Sequence, residues 1–421
     1  MIVTITPHRL SGTIAAIPSK SHVHRLLICA ALGDRPAVLP CRVVSQDIEA
    51  TVRCLKALGA GIAVDGGAVA VTPLDRNAGG AVELDPGESG STYRFMTPLA
   101  AALGRTARFT LHGKLPSRPM DDLWNEMERH GAVITGKGTS HPVVEGQLTA
   151  GRYRLPGTVS SQFFTGLLFA LPLLESSSRV IIADRLESAG YIDMTLAALA
   201  AFGIAVGRSD GGFSVPGAQR YAAPARLKAE GDWSNAAFWL CAGAAGAELA
   251  VTGLALPSLQ GDSAVTEFLR RMGAEVSING DSIAAAPAEL RETCIDMGGT
   301  PDLVPALAVA AAAVKGRTVL ANVGRLRLKE SDRVASVCGA LNALGGHAAP
   351  DGDSILIDGY GSLQGGIVDA CGDHRIAMLG AAASVLCSKA VTITGAEAVN
   401  KSYPGFFGDF AALGGIVRTE A

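Results

Sequence analysis

The sequence predicts an α/β protein with two domains, each made of three similar units of helix and sheet. Six apolar helical patterns stop at a glycine and continue as a strand. These glycines are separated by 72, 72, 70, 72 and 69 residues, and they are Gly59, Gly131, Gly203, Gly273, Gly345 and Gly414. The 421 residues exceed what one hydrophobic core usually holds, so two domains of three repeats is the simplest division.

Each repeat changes from helical to strand periodicity at its glycine. In the first repeat Ile48, Val52, Leu55 and Leu58 follow helical spacing, and alternation begins at Ile62. The glycine is therefore expected in the left-handed conformation just after a helix. Four repeats then carry a pair suited to a hairpin turn: Asp65-Gly66, Asp210-Gly211, Asn279-Gly280 and Asp351-Gly352. The repeat therefore reads helix, strand, turn, strand.

Alanine-rich runs supply a second helix in the remaining length, as in 96–103, 163–174 and 303–314. Each repeat is then expected to hold two buried helices and about four strands. The chain is expected to pass between domains in the Pro- and Gly-containing stretch 216–231, and again near Pro18. The predicted domains are residues 1–18 with 230–421, and residues 19–229.

Composition narrows the class of protein. With 48% hydrophobic residues, no long uninterrupted apolar run and no leader-like N-terminal segment, we expect a soluble cytoplasmic protein that does not enter membranes. Eight scattered cysteines without a C-x-x-C pair are expected to be reduced core residues, with neither disulfides nor zinc. A net charge of −3 argues against nucleic-acid binding.

Basic and hydroxyl residues gather where the predicted helices begin. Because helix N-termini offer free amides and a positive dipole end, they suit phosphate and carboxylate groups. Taken singly, each serine or aspartate could be only a helix cap, and each lysine or arginine only a surface charge. The groups are Lys20-Ser21 with Arg25, Gly90-Ser91 with Arg94, Ser160-Ser161-Gln162, Asp302, the run 329–333 and Asp373-His374-Arg375.

Taken in order, these motifs resemble the 5-enolpyruvylshikimate-3-phosphate synthase family over nearly the whole chain. The resemblance adds Arg118-Pro119-Met120, Tyr191-Ile192-Asp193, Glu230-Gly231-Asp232, Gln260-Gly261-Asp262, Pro301-Asp302 and Lys401-Ser402-Tyr403-Pro404. It implies two inside-out α/β barrel domains, with sheets placed around buried helices, that close around substrate. The implied enzyme is a transferase of the shikimate pathway, which makes aromatic amino acids. It would move the enolpyruvyl group of phosphoenolpyruvate to the 5-hydroxyl of shikimate 3-phosphate through a tetrahedral intermediate.

The resemblance also implies the residue roles. Asp302, Glu330 and Lys20 would be catalytic, with Asp302 taking the hydroxyl proton and Glu330 handling the proton at the methylene carbon. The shikimate 3-phosphate site would comprise Lys20, Ser21, Arg25, Ser160, Ser161, Gln162, Ser188, Tyr191, Asp302 and Lys329. The phosphoenolpyruvate site would comprise Lys20, Gly90, Arg118, Gln162, Arg333, Arg375 and Lys401. No metal or organic cofactor would be needed, and a monomer is expected.

Two alternatives stay open at this point. One is a UDP-N-acetylglucosamine enolpyruvyl transferase, which would share fold and donor, and the other is a catalytically idle binding module. Arg325 stands where some relatives have Asn and is given no role, and Thr92-Tyr93 replaces smaller or aliphatic residues. Gly90, rather than Ala, is expected to leave room for glyphosate at the phosphoenolpyruvate site.

Overall fold

The structure is a computed structural model, and it describes residues 1–420. The chain divides into two compact units. The continuous unit is Pro18–Ala229, and the discontinuous unit joins Met1–Ile17 to the residues from Glu230 onward. The chain opens with two short strands of the discontinuous unit, β1 (Ile2–Thr6) and β2 (Ser11–Ala15).

The continuous unit contains repeats 1 to 3, each with its own sheet. Repeat 1 has α1 (Lys20–Ala31), β3 (Ala37–Pro40), α2 (Gln46–Ala57), β4 (Gly61–Asp65) and β5 (Ala68–Thr72). Repeat 2 has β6 (Ala81–Gly87), α3 (Gly90–Ala102), β7 (Thr106–Leu111), α4 (Asp121–Arg129), β8 (Ala132–Thr135) and β9 (Val143–Gly146). Repeat 3 has β10 (Arg152–Leu155), α5 (Ser161–Ala170), β11 (Ser178–Ile182), α6 (Ala189–Ala201), β12 (Gly207–Ser209) and β13 (Gly212–Val215).

The discontinuous unit contains repeats 4 to 6. Repeat 4 has α7 (Trp233–Ala245), β14 (Glu248–Thr252), α8 (Val265–Arg271), β15 (Glu275–Asn279) and β16 (Ser282–Ala286). Repeat 5 has β17 (Cys294–Asp296), α9 (Val304–Ala313), β18 (Lys315–Ala321), α10 (Arg333–Ala343), β19 (His347–Asp351) and β20 (Ser354–Tyr360). Repeat 6 has β21 (Gly366–Asp369), α11 (His374–Ala383), β22 (Val391–Thr394), α12 (Phe406–Ala412) and β23 (Ile416–Glu420).

One strand pattern recurs in five of the six sheets. The first strand of a repeat lies parallel to the second, and the last two strands form an antiparallel hairpin whose final strand pairs with the second, as in the order β6-β7-β9-β8. The N-terminal strands complete two distant sheets. β2 pairs in parallel with β14 of repeat 4, and β1 lies between β22 and β23 of repeat 6. Repeat 1 keeps three strands.

The six glycines that defined the repeat have positive φ, from +75° to +106°, as predicted. Each lies two residues after the second helix of its repeat. The four predicted turns are also confirmed, since they join β4 to β5, β12 to β13, β15 to β16 and β19 to β20. The local chemistry of glycine therefore sets the architecture, because an L residue with a side chain rarely adopts this conformation.

The alanine-rich helices form the interior of each unit. Every residue of α9 except Ala313 is buried, and α9 packs against both α7 and α11. In the continuous unit α3 packs against α5 in the same way. Small side chains let these helices approach closely, and the sheets cover them. The predicted fold of repeated helix and sheet units is confirmed, with the strands in six separate sheets.

The cysteine prediction is wrong at two positions. Within residues 1–420 all eight cysteines are free thiols, and six are buried, but Cys294 and Cys371 are exposed. Cys294 occupies an outward position of β17, and Cys371 lies with φ +53° in the loop before α11. Apolar sequence neighbours did not reveal which way either residue faces. No helix among residues 1–420 is both long and apolar enough to cross a membrane.

Candidate active site

In the continuous unit, the beginnings of α3 and α5 meet through one buried arginine. Arg94 is 3% exposed, and its Nη1 donates to Oε1 of Gln162 at 2.8 Å. The amide of Gln162 in turn donates to Oγ of Ser91 at 2.8 Å, and Arg94 Nη2 donates to the carbonyl of Pro119 at 2.9 Å. These contacts determine the orientation of the Gln162 amide, with its oxygen toward Arg94 and its nitrogen toward Ser91. Sequence reasoning gave Arg94 no role, although it stands in the Gly90 motif.

Gly90 lies where backbone and guanidinium come closest. A Cβ built on Gly90 would stand 2.7 Å from Nη1 of Arg118 and 2.9 Å from Nη1 of Arg94. Carbon atoms do not approach side-chain nitrogens that closely, so any larger residue would displace these groups. The absence of a side chain at Gly90 therefore allows two cations to lie against the start of α3.

Arg25 joins the beginnings of α1 and α6. It is 2% exposed, and it donates to Oγ1 of Thr195 at 2.8 Å and to the carbonyls of Ser21 at 2.6 Å and Tyr191 at 2.9 Å. Burial lowers the pKa of Arg25 to about 10, which leaves it protonated near neutral pH. Arg25 thus brings together three residues of the predicted shikimate 3-phosphate set.

The other predicted residues of this unit occupy the same helix beginnings. Lys20 is the first residue of α1, and its Nζ lies 2.6 Å from Oδ2 of Asp47, a partner not expected from the sequence. Ser160 caps α5, where its Oγ accepts the N–H of Gln162 at 3.3 Å, and the buried Ser161 follows it. Ser188 stands just before α6 with φ +53°. Ten residues of the predicted set thus lie in the continuous unit, and they are Lys20, Ser21, Arg25, Gly90, Arg118, Ser160, Ser161, Gln162, Ser188 and Tyr191.

In the discontinuous unit, Arg333 is the centre of the second cluster. It is 1% exposed, and its guanidinium contacts three carboxylates. Nη1 donates to Asp302 at 2.8 Å, Nη2 to Glu330 at 2.7 Å, and Nε to Asp373 at 2.7 Å. These carboxylates raise the pKa of Arg333 further, against the opposing effect of burial, so it is a permanent cation. The two predicted catalytic carboxylates are therefore held by one guanidinium.

Two further cations reach Asp302. Arg375 Nη2 lies 3.4 Å from Oδ2 of Asp302, and its Nη1 donates to the Asp302 carbonyl at 3.0 Å. Lys329 Nζ lies 3.5 Å from Oδ1. Lys401 donates instead to the carbonyl of Gly372 at 2.8 Å, just before the cap of α11. Asp302 is thus contacted by three cationic side chains.

Asp262 is a buried carboxyl that sequence reasoning did not include in the site. It accepts a short hydrogen bond from Oγ of Ser234 and is 2% exposed. Burial, followed by the charge of Asp302, raises its pKa to about 6, with Arg375 acting in the opposite direction. Its motif, Gln260-Gly261-Asp262, was visible in the sequence, but nothing there showed that it faces Asp302.

Comparison with known proteins identifies the family of the chain. The chain matches the family model described as EPSP synthase (3-phosphoshikimate 1-carboxyvinyltransferase) over residues 5–410. The chain belongs to the EPSP synthase family. The resemblance inferred from the motifs is thereby confirmed.

Relatives and solved structures of the EPSP synthase family cover the chain throughout. The 3-phosphoshikimate 1-carboxyvinyltransferase of Clostridium kluyveri is 40% identical over 417 residues, covering 99% of this chain and 98% of that protein. The corresponding protein of Clostridium perfringens strain 13 is 39% identical, with 99% of both chains covered. EPSP synthase from Acinetobacter baumannii has a TM-score of 0.80 at 26% identity, covering 99% of this chain and all of that one.

A more distant structure shares the fold alone. The enolpyruvyl transferase NikO from Streptomyces tendae has a TM-score of 0.78 at 18% identity, covering 99% of this chain and 98% of that chain. Arg325, which was given no role from the sequence, donates to the carbonyl of Gly298 at 2.7 Å. Among residues 1–420 no cluster of His, Cys, Asp and Glu suited to a metal ion occurs.

Proposed function

We propose that this protein transfers the enolpyruvyl group of phosphoenolpyruvate to the 5-hydroxyl of shikimate 3-phosphate and releases phosphate. The observation that carries the proposal is the contact of Asp302 and Glu330 with the single guanidinium of Arg333. Addition followed by elimination needs two groups that move protons at different atoms, and two fixed carboxylates can divide that work. Membership of the EPSP synthase family supplies the substrates.

The chemistry follows in two steps. Asp302 accepts the proton of the 5-hydroxyl as its oxygen attacks C2 of phosphoenolpyruvate, and a proton from Glu330 adds to the methylene carbon. In the tetrahedral intermediate C2 carries both oxygens. A proton of the new methyl group then returns to Glu330, the C2–O bond to phosphate breaks, and phosphate departs with that electron pair and takes up the proton held by Asp302. Arg333 keeps both carboxylates in place throughout, so little reorganisation is needed.

The continuous unit provides the substrate-binding groups of the proposal. Lys20, Arg118 and Gln162 would bind phosphoenolpyruvate, with Gly90 allowing close approach of the backbone. Ser160, Ser161 and Ser188 would bind the phosphate of shikimate 3-phosphate through hydroxyl donors at helix beginnings. Ser21, Arg25 and Tyr191 would bind the remainder of that substrate.

The discontinuous unit provides the remaining groups. Arg375 and Lys401 would bind phosphoenolpyruvate, together with Arg333, and Lys329 would bind the hydroxyls of shikimate 3-phosphate. Because three carboxylates already occupy Arg333, its main contribution in this proposal is to hold Asp302 and Glu330. Lys20 completes the catalytic set.

Phosphate release from purified protein tests the proposal. The assay supplies phosphoenolpyruvate with either shikimate 3-phosphate or UDP-N-acetylglucosamine, with and without a metal chelator. We expect release with shikimate 3-phosphate only, unchanged by the chelator. Release with the UDP-sugar only would replace the proposed acceptor, and release with neither would favour an idle binding module.

A cytoplasmic location and a monomeric state remain predictions. Light scattering of the purified protein would test the monomeric state.

A further inference from the structure

The outer face of the third sheet of the continuous unit carries unneutralised arginines. Arg152 of β10 lies directly opposite Arg179 of β11 in the parallel register, and both side chains are exposed. Among residues 1–420 neither side chain forms an ion pair or a side-chain hydrogen bond. Two positive charges are therefore placed side by side on neighbouring strands.

The like charges of the Arg152–Arg179 pair differ from the opposite charges found in the corresponding register of repeat 2. The parallel strands β6 and β7 of repeat 2 place Glu83 opposite Arg108, with 3.4 Å between the charged groups. Opposite charges in that register are favourable, whereas like charges directly across a strand pair are unfavourable. The Arg152–Arg179 pair has the unfavourable arrangement. An anion bound between the two guanidinium groups would replace this repulsion with attraction.

A groove of about 270 Å³ lies at this pair, and hydroxyl groups line it as well. Its lining includes Ser177, Ser178 and Ser214 and contains no carboxylate and no aromatic ring. Ser178 is 3% exposed, and its Oγ accepts the N–H of Gly151 at 3.3 Å, which leaves its hydroxyl hydrogen to donate. Ser214 already donates its hydroxyl hydrogen to the carbonyl of Gly207 at 3.5 Å, so the donors left for an anion are the two guanidinium groups and the hydroxyls of Ser177 and Ser178.

We propose that this groove binds the phosphate group of a small anion, separately from the site described above. Two guanidinium forks can each pair with a tetrahedral oxyanion through two N–H donors, and the serine hydroxyls add further donors. Without an aromatic ring, the groove offers no stacking surface for a nucleobase. Inorganic phosphate and a small phosphomonoester share the chemistry that it recognises.

Equilibrium dialysis with radiolabelled inorganic phosphate tests this proposal. The wild-type protein is expected to bind one more phosphate per chain than the R152S/R179S variant. In that variant the affinity of the groove for phosphate should fall at least tenfold. S178A keeps both charges and is expected to bind this phosphate with intermediate affinity. Competition by glycerol 3-phosphate shows whether a phosphomonoester also occupies the groove.

Arg208→Ser is the matched control. Arg208 lies on β12 of the same sheet, but it is already paired with Asp193, so its loss should leave the extra phosphate bound. Equal numbers of phosphates in wild type and R152S/R179S would overturn the proposal, as would an equal loss in R208S. None of these residues belongs to the proposed catalytic machinery, so turnover should be unchanged. The number of phosphates bound can therefore be interpreted even if the protein does not catalyse the proposed reaction.

Discussion

Arg333 donates to Oδ1 of Asp302 through Nη1 at 2.8 Å. The same guanidinium also donates to Glu330 and Asp373, so the two proposed catalytic carboxylates share one partner side chain. Arg333 and Asp373 are closed to solvent, at 1% and 0% exposed, whereas the side chains of Asp302 and Glu330 keep 16% and 19% exposure. The proposed catalytic geometry and the stability of the discontinuous unit are therefore expected to depend on the same contacts.

Neutral, isosteric replacement of the carboxylates should separate catalysis from binding. Asp302→Asn and Glu330→Gln remove the proton-transfer groups, and we expect kcat to fall about 10²–10⁴-fold. Dissociation constants for both substrates, measured by calorimetry, should change much less. Arg118→Ala is the contrasting variant, and it should chiefly weaken phosphoenolpyruvate binding. Equal losses of binding in all three variants would contradict this division of roles.

Removing Asp373 should destabilise the discontinuous unit. Asp373→Ala leaves the buried Arg333 short of a partner and removes the cap of α11, so we expect a loss of about 3–5 kcal/mol in the free energy of unfolding. Asp358→Ala breaks exposed contacts with Arg317 and His347 and should lower the free energy of unfolding far less. Urea denaturation followed by tryptophan fluorescence measures both. A similar cost for the two variants would show that the buried cluster contributes little stability.

Alanine at position 90 should act through the neighbouring arginines. Gly90→Ala places a methyl group against Arg118 and Arg94, and we expect a rise of about tenfold in KM for phosphoenolpyruvate, equivalent to roughly 1.4 kcal/mol. Inhibition by glyphosate should weaken in parallel. Gly79→Ala is the control, because nothing lies within 4 Å of the added carbon. Unchanged KM values in Gly90→Ala would mean that both guanidinium groups move aside without consequence.

Arg94 and Gln162 should behave as a coupled pair. A double-mutant cycle on kcat/KM with Arg94→Lys and Gln162→Ala is expected to give a coupling free energy of about 1–3 kcal/mol. The reason is that lysine cannot donate to Gln162 and to the Pro119 carbonyl from one planar fork. Additive effects would show that the amide is oriented by other contacts.

Asp262 should make stability depend on pH. Its pKa in the folded protein, about 6, lies above the ordinary value of 3.8, so its stabilising contribution is full below the ordinary value and is lost as pH rises through 6. The stability advantage of wild type over Asp262→Asn should therefore shrink by about 2–3 kcal/mol between pH 4 and pH 7. Urea titrations across that range measure it. A constant difference would mean that Asp262 titrates normally.

The fold could be predicted from local chemistry wherever the repeat carries its own signal. Glycine after a helix and Asp-Gly or Asn-Gly between strands are decided within a few residues, and both occurred at the expected positions. The pairing of β1 with repeat 6 and of β2 with repeat 4 could not be predicted, because it joins residues hundreds of positions apart.

The contacts within the candidate site could not be predicted from the sequence. The motifs gave Asp302, Glu330 and Arg333, but no spacing showed that Arg333 contacts both carboxylates together with Asp373. Asp47, Arg94 and Asp262 were missed for the same reason. Each acts on a predicted residue from another helix or loop, and that proximity comes from tertiary packing.

The position of β1 shows that the repeats have a circular order. Ile2 lies opposite Glu420 and Thr6 opposite Ile416, so β23 and β1 form the antiparallel pair that a hairpin makes in the other repeats. A short linker from Glu420 to Ile2 would close that hairpin, and new ends between Ala229 and Glu230 would make both units continuous along the chain. Such a circular permutant should fold to the same six sheets, because connectivity would change while every strand kept its neighbours.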